Sequence, residues 1–243
     1  MELNYWLMAS LALMAFLYSS VGHGGASGYL AVMAIFGTSP QLMKSSALIL
    51  NVFVSFIAFY NFYKKESFDW KLFIPLIIGS IPMAYLGAQI PISEKIYKYL
   101  LAFCLLISIW RLLKISNDVF KINENQPTYL KLIIGACIGL LSGMLGIGGG
   151  ILLSPLLLFL NWGKMKDIAA ISALFIFVNS ISGLISLFSK GYLLETITIY
   201  WVAIAILGGI IGGYLGSKKY NFKTLRIILA AVLLIACVKL VGI

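Results

Sequence analysis

Apolar stretches joined by short charged connections follow one another along the whole chain. A run of about 20 apolar residues is long enough to cross a bilayer as a helix. Composition agrees, because 61% of the 243 residues are hydrophobic, 11% are charged, and the mean hydropathy is +1.01. No stretch is long or polar enough for a separate soluble domain. We therefore expect an all-α integral membrane protein with a single transmembrane domain over residues 1–243.

The apolar runs and their breakers predict about ten helical segments. Two of these segments hold only about a dozen residues, too few for a full crossing, and both follow a glycine cluster, "GHGG" from Gly22 and "GIGGG" from Gly146. The predicted segments lie near residues 3–20, 26–37, 43–63, 71–89, 97–114, 128–144, 149–160, 168–189, 196–216 and 224–241.

The second half of the chain repeats motifs of the first half in the same order. "GHGGASGYLA" corresponds to "GIGGGILLSP", "SSAL" at 45–48 to "ISAL" at 171–174, and "YLG" at 85–87 to "YLG" at 214–216. We infer a duplication of five segments, with repeat one over residues 1–115 and repeat two over 129–243. The polar stretch 116–128 joins them.

The distribution of basic residues indicates how the repeats are oriented. If each glycine-broken pair enters the membrane and returns as a helical hairpin, each repeat crosses an odd number of times and the second repeat is inverted. Five of the 18 lysines and arginines then lie on one face and the other 13 on the opposite face, whereas a single-crossing pair gives no bias. Because basic loops stay cytoplasmic, we expect inverted-topology repeats, a cytoplasmic 116–128 connection and both termini outside the cytoplasm. The five are Lys44, Lys95, Lys98, Lys190 and Lys239.

The glycine breaks are candidate anion sites. Non-helical backbone at membrane depth is tolerated only where it packs in protein or lines a wet cavity, and helix N-termini there offer free N–H donors and partial positive charge. Inverted repeats would bring the two breaks to a shared interface, and close packing between helices is the other explanation of such glycines. The candidate backbone ligands are Gly22, His23, Gly24, Gly25 and Ser27 in the first half and Gly146, Gly148, Gly149 and Gly150 in the second.

Polar side chains near each break support a neutral anion site. Ser45, Ser46 and Asn51 in the first half correspond to Ser172 and Asn179 in the second, and hydroxyls and amides can bind oxyanions without burying a charge. They can equally serve as hydrogen bonds between helices. His23 is the only histidine, and its imidazole can carry a proton or donate a hydrogen bond.

Other functional classes find little support in the sequence. Aspartates and glutamates lie only at segment ends or in connections, which argues against a carboxylate-based cation pump and against a metal site. No nucleophile and base pair, metal-ligand cluster or carboxylate dyad is present. We therefore expect no enzyme activity, metal or cofactor. The net charge of +10 fits orientation and anionic lipid rather than nucleic acid.

Four stretches of the chain resemble the sulfite exporter TauE/SafE family: "GHGGASGYLAVMAIFG", "LSGMLGIGGGILLSPLLLF", "SSALILNVFVSFIAF" and "GSIPMAYLGAQI". The family's glycine pattern maps onto Gly146, Gly148, Gly149 and Gly150, whereas His23 and Ala26 depart from it in the first half. The resemblance implies a bacterial inner-membrane secondary transporter, an exporter of sulfite, thiosulfate or organosulfonates.

These observations together predict an anion carrier that alternates access around the paired glycine breaks. Backbone N–H groups and hydroxyls would bind the oxyanion, His23 would assist, and proton coupling would rest on that one imidazole. A passive anion channel built on the same breaks and a transporter of a non-sulfur small anion are the alternatives. The sequence leaves the oligomeric state open.

Overall fold

A computed structural model describes residues 4–20, 25–63, 68–114, 126–216 and 222–242 of the chain. In these residues every regular element is an α-helix, which confirms the all-α prediction, and the bounds lie within a few residues of those predicted. The ten helices are α1 (Tyr5–Ser20), α2 (Ala26–Ile35), α3 (Pro40–Tyr63), α4 (Trp70–Gln89), α5 (Glu94–Lys114), α6 (Thr128–Leu145), α7 (Gly150–Phe159), α8 (Met165–Ser189), α9 (Thr196–Gly216) and α10 (Phe222–Val241).

Five of the helices in the described residues are long and apolar enough to cross a membrane: α3, α4, α6, α8 and α9. Many large apolar side chains on them are exposed, for example Ile78 at 59% and Leu207 at 61%. Such a surface is stable in lipid and unfavourable in water. The chain is therefore a multi-pass membrane protein, as the sequence predicts.

Each repeat begins with a helical hairpin that contains one short helix. The Tyr18 hydroxyl near the end of α1 lies 2.5 Å from Ser27 Oγ at the start of α2, so α2 turns back along α1. In the second repeat, Ser154 Oγ of α7 lies 2.6 Å from Ser172 Oγ of α8, and Gly150 packs against Ile176. Helix α7 thus runs opposite to α8. Helices α6 and α8 both run parallel to α4, because Gly139 and Gly143 lie against Ser80 and Ala84, and Ser182 and Ser186 donate to the carbonyls of Ile81 and Tyr85. Helix α7 therefore also runs opposite to α6.

Two equivalent helix pairs, α4 with α6 and α1 with α9, pack backbone against backbone. A β-carbon added to Gly139 would strike the backbone of Ser80, and one added to Gly143 would strike that of Ala84. Gly212 lies as close to the backbone of Phe16. Small residues allow this approach, which is typical of helix contacts in membranes. Small-residue packing therefore occurs in this fold, outside the glycine clusters at the breaks.

The two long helices α3 and α8, which are equivalent in the repeats, cross the centre of the molecule in opposite directions. Leu48 near the start of α3 packs on Gly183 near the end of α8, whereas farther along α3 the ring of Phe56 lies 5.4 Å from that of Phe177. Because these equivalent helices run antiparallel, the two repeats are related by a rotation about an axis perpendicular to the helices. This confirms inverted-topology repeats.

Helix directions also place the ends of the chain. Helix α1 runs parallel to α9, since Gly208 lies against Ala12 and Gly212 against Phe16. Helix α9 runs parallel to α3, since Thr198 bonds Ser46 and Gly213 lies against Asn61. Near the end of α10, Lys239 bonds the carbonyl of Ile35, close to where α3 begins. Tyr5 and Val241 therefore lie at the same end of the bundle.

Candidate functional site

The second glycine cluster forms the turn between α6 and α7. Gly146 ends α6 with φ 77°, and Gly149 precedes α7 with φ 79°. Gly148 between them has φ 69°. A left-handed conformation costs about 1–2 kcal/mol in a residue with a β-carbon, so the local backbone requires glycine at these positions. The chain thereby stops one helix and starts another inside the protein.

Gly148 inserts this turn into the contact between α3 and α8. A β-carbon at Gly148 would lie 3.2 Å from Asn51 Nδ2, 3.1 Å from Ser180 Oγ and 2.6 Å from Ile176 Cγ2. Asn51 and Ile176 both lie near the middle of their helices, so this contact is at the centre of the bundle. We call Asn51, Gly148 and Ser180 the central polar cluster.

The polar side-chain atoms of the central polar cluster are buried. Asn51 and Ser180 are both fully buried, and Asn51 Nδ2, Asn51 Oδ1 and Ser180 Oγ have no partner in the described part of the chain. Each such group costs about 1–3 kcal/mol. The carboxamide can donate two hydrogen bonds and the hydroxyl one, so the cluster holds neutral hydrogen-bond donors.

Most of the other polar side chains predicted for the site bond elsewhere. Ser46 Oγ lies 3.0 Å from Thr198 Oγ1 of α9, and Ser172 Oγ bonds Ser154 as described above. Asn179 donates its Nδ2 to the Phe175 carbonyl at 2.9 Å, while its Oδ1 is buried without a partner in the described residues. The side chains of Ser46 and Ser172 therefore form hydrogen bonds between helices.

The start of α7 is packed by apolar groups. β-carbons at Gly149 and Gly150 would meet side-chain atoms of Phe175 and Ile176 respectively. Gly149 accepts hydrogen bonds from Leu152 and Leu153. Phe175 and Ile176 therefore cover the N-terminus of α7 at these two glycines.

The first glycine cluster is described only in part. Gly22, His23 and Gly24 lie outside the described residues, so their part in a site stays a prediction. Gly25 precedes α2 with φ 78°, and the phenol of Tyr29 covers it, its hydroxyl 2.6 Å from the position of a β-carbon. The Tyr29 hydroxyl is buried with no partner among the residues described, whereas Ser27 bonds Tyr18. The pairing of the two breaks also stays a prediction.

Ser180 and Tyr29 were not identified from the sequence. Ser172, Ile176 and Ser180 follow one another at intervals of four residues on α8, and such positions share one helix face. That spacing would have singled out Ser180 as facing the same neighbour as Ser172. Tyr29 stands four residues after Gly25, the spacing at which its ring can reach back over the preceding turn.

A cavity of about 1060 Å³ opens at the end of the bundle where α3 begins. We call it the vestibule. Its walls come from the start of α3, the end of α4, the start of α5 and the link between α8 and α9, and Ser45, Lys44 and Lys190 line it. Ser45 donates its hydroxyl to the Gln41 carbonyl at 3.2 Å. Of the predicted ligands that the structure describes, Ser45 alone is among the residues that line this cavity.

Metal-binding groups do not gather in the described ranges: no three histidine, cysteine, aspartate or glutamate side chains there lie close enough to hold an ion.

Comparisons with known proteins agree with this architecture. A family model described as sulfite exporter TauE/SafE matches residues 7–240. The chain is 35% identical to the probable membrane transporter protein y4hK of Sinorhizobium fredii over 96% of each chain. It is 28% identical to probable membrane transporter protein YunE of Bacillus subtilis, over 82% of this chain and 80% of that protein.

An archaeal relative and the solved structures complete the comparison. Probable membrane transporter protein MJ0441 of Methanocaldococcus jannaschii is 30% identical over 74% of this chain and 71% of its own length. No solved structure matches the chain significantly. The family match spans both repeats and both hairpins, and the protein is therefore a membrane transporter that belongs to the sulfite exporter TauE/SafE family.

Proposed function

We propose that the protein is a secondary transporter, an exporter, of small sulfur-containing anions such as sulfite, thiosulfate or organosulfonates. The observation that carries this proposal is Asn51, whose amide nitrogen and oxygen are both buried beside Gly148 without partners in the described part of the chain. Natural proteins rarely leave two such atoms unbonded in one side chain. A bound oxyanion can accept from Nδ2, so a ligand that arrives and leaves explains this unbonded donor better than folding does.

The chemistry of the central polar cluster suits an oxyanion. Asn51 Nδ2 and Ser180 Oγ are donors, and the first N–H groups of α7 follow directly after Gly148 and Gly149. The three residues of the cluster carry no charge. Neutral donors hold an anion without the cost of a buried permanent charge and also release it readily. The family's description as sulfite exporters supports a sulfur oxyanion within this class.

The inverted repeats support transport by alternating access. Repeats related in this way can exchange conformations, so that a central site opens first to one face and then to the other. The vestibule opens at one face, and its lining on α3 ends at Ser45. Leu48, fully buried against Gly183, lies on α3 between Ser45 and Asn51. The names of the relatives support transport rather than catalysis.

Proton coupling is a separate part of the proposal and depends on His23. Its imidazole can change charge near neutral pH, and it stands in the first glycine cluster next to Gly24. Uptake of labelled sulfite into liposomes, with and without a pH gradient, tests the coupling. We expect the gradient to accelerate the wild type and not His23→Ala. Full gradient dependence in His23→Ala would remove His23 from the mechanism.

Ligand identity is tested by thermal unfolding of the purified protein with sulfite, sulfate, thiosulfate, taurine, sulfoacetate and carboxylates. A ligand that binds only the native state increases the free energy of unfolding, by about 2.7 kcal/mol when its concentration is 100 times its Kd. The unfolding temperature rises accordingly. We expect at least one sulfur anion to do so. Stabilisation by carboxylates alone would indicate a non-sulfur substrate. A separate transport measurement on the reconstituted protein distinguishes a carrier from a channel, because conductance without counterflow exchange would indicate a channel.

A further inference from the structure

We propose that Lys44 and Lys190 form a second anion-binding site in the vestibule, a site that takes a small oxyanion at the outer end of the route to the central polar cluster. The two lysines come from different repeats and are 146 positions apart by their residue numbers. The fold brings both to one wall of the same cavity. That the ligand is a sulfur oxyanion rests on the proposed function; the presence of an anion site does not.

Both ammonium groups lie at the C-terminal end of α4. Lys44 Nζ donates to the Ala88 carbonyl at 3.0 Å, and Lys190 Nζ donates to the Gln89 carbonyl at 2.7 Å. These consecutive carbonyls are among those that a helix leaves without internal partners. An ammonium group has three donors, and each lysine uses one of them here. The fixed ammonium groups therefore keep further donors for a ligand.

The charges in the vestibule leave it positive. The end of a helix carries about half a negative charge, whereas the two lysines bring two whole positive charges. Neither lysine has a carboxylate within ion-pair distance in the described part of the chain. Of the two carboxylates that line the cavity, Glu94 is paired with Lys98 at 2.8 Å. Glu195, exposed like Lys190, offsets one of the two lysine charges and leaves a small positive balance.

The vestibule site and the central polar cluster lie on one face of α3. Lys44 and Asn51 are seven residues apart, which is about 10 Å along the helix and close to two full turns. The glycine turn follows the same path, since Gly146 packs against Lys44 and Gly148 against Asn51. An anion bound beside Lys44 would therefore lie about two helical turns from the central polar cluster.

A cysteine reporter tests the charge of this site without any need for transport. Gln41 is exposed and lines the vestibule, so Gln41→Cys is introduced together with Cys137→Ser, which removes the exposed native thiol; Cys104 and Cys237 are buried. The reagents are the anionic ethylsulfonate and the cationic ethyltrimethylammonium methanethiosulfonates. We expect Lys44→Met and Lys190→Met each to lower the ratio of anionic to cationic rates by about threefold or more.

Matched variants separate charge from structure. Lys95→Met removes an exposed lysine from the start of α5 that does not line the vestibule, and it should leave the rate ratio unchanged. Lys44→Arg and Lys190→Arg keep the charge and should keep the ratio. Thermal unfolding of each variant checks its fold, and if Lys44→Met does not fold, the test rests on Lys190→Met, because Lys190 is exposed. Unchanged ratios in folded lysine-to-methionine variants would overturn the proposal.

Protection by an unreactive anion tests binding itself. We expect methanesulfonate to slow the anionic reagent saturably in the reporter with both lysines and not in Lys44→Met. A rate ratio that depends on the lysines, with no saturable protection by methanesulfonate or sulfate, would contradict a binding site. The labelling rates are measured with the reagents and simple anions, so they do not depend on transport of a sulfur anion. Failure of the transport proposal and failure of the vestibule site therefore give different results.

Discussion

Asn51 and Ser180 stand on two antiparallel helices, and both place buried polar atoms, unbonded within the described part of the chain, within 3.2 Å of the point where a β-carbon of Gly148 would lie. Asn51 comes from α3, Ser180 from α8 and Gly148 from the turn between α6 and α7. Their polar groups could have bonded one another or the backbone, as Ser46 does with Thr198. That they do not bond leaves a set of hydrogen-bond donors available at the middle of the membrane domain.

The first prediction concerns the stability of Asn51→Leu. Leucine is apolar and needs no hydrogen bonds, so the substitution removes two unsatisfied atoms that cost about 1–3 kcal/mol each. We expect an unfolding temperature equal to or above that of the wild type, measured in detergent without substrate. Ser108→Ala, which removes a buried serine that bonds the Cys104 carbonyl, should not stabilise. A marked loss of stability in Asn51→Leu would mean that Asn51 is structural.

The second prediction concerns Gly148→Ala. The methyl group would require a left-handed backbone and would approach Ile176 Cγ2 to 2.6 Å, so we expect a loss of about 2–4 kcal/mol from strain and overpacking together. Gly37→Ala is the matched control, because Gly37 has φ 72° and no atom within 4 Å of an added β-carbon. It should cost only the backbone strain. Equal unfolding temperatures for the two variants would contradict the packing described for Gly148.

The third prediction concerns the contact of α1 with α9. A β-carbon at Gly208 would strike the backbone carbonyl of Ala12, whereas one at the neighbouring Gly209 would lie 3.4 Å from Val54, an ordinary contact. We expect Gly208→Ala to lower the unfolding temperature and Gly209→Ala to leave it unchanged or raise it slightly, since alanine favours the helix. The opposite order of unfolding temperatures would show that the two helices are farther apart.

The fourth prediction concerns orientation. Tyr5 and Val241 lie at the end of the bundle that carries Lys44 and Lys190, and the basic bias predicts that this end is extracytoplasmic. Reporter fusions at both termini should be active outside the cytoplasm, and a reporter inserted in the 116–128 connection should be active inside it. Termini on opposite faces would contradict the inverted repeats, and two cytoplasmic termini would reverse the orientation alone.

Much of the fold follows from the sequence because membrane helices have simple requirements. Apolar runs indicate the helices, and the repeated glycine clusters predict short helices that begin at residues 26 and 149, within one residue of the starts of α2 and α7. The basic residues predict the inversion, because the two faces of a membrane differ. Sequence alone could not locate the close contacts at Gly139 and Gly208, since glycine serves both in turns and in helix interfaces.

The site is harder to predict than the fold. Ser46 and Asn51 look alike as polar residues on one helix, yet Ser46 bonds Thr198, which is 152 positions away in the chain, while the Asn51 side chain bonds nothing among the described residues. Only packing decides which polar group finds a partner. From the sequence, Lys44 contributes only to the prediction of membrane orientation. Its neighbour Lys190 comes from the other repeat, so only the fold shows that the two lysines line one cavity.

Labelled sulfite uptake into proteoliposomes, wild type against Asn51→Leu, tests the central claim most directly. We predict saturable uptake with counterflow exchange by the wild type and a loss of at least tenfold in Asn51→Leu, about 1.4 kcal/mol or more, at an unfolding temperature no lower than that of the wild type. Uptake by Asn51→Leu at the wild-type rate, or no uptake of any sulfur anion by the wild type, would contradict the account.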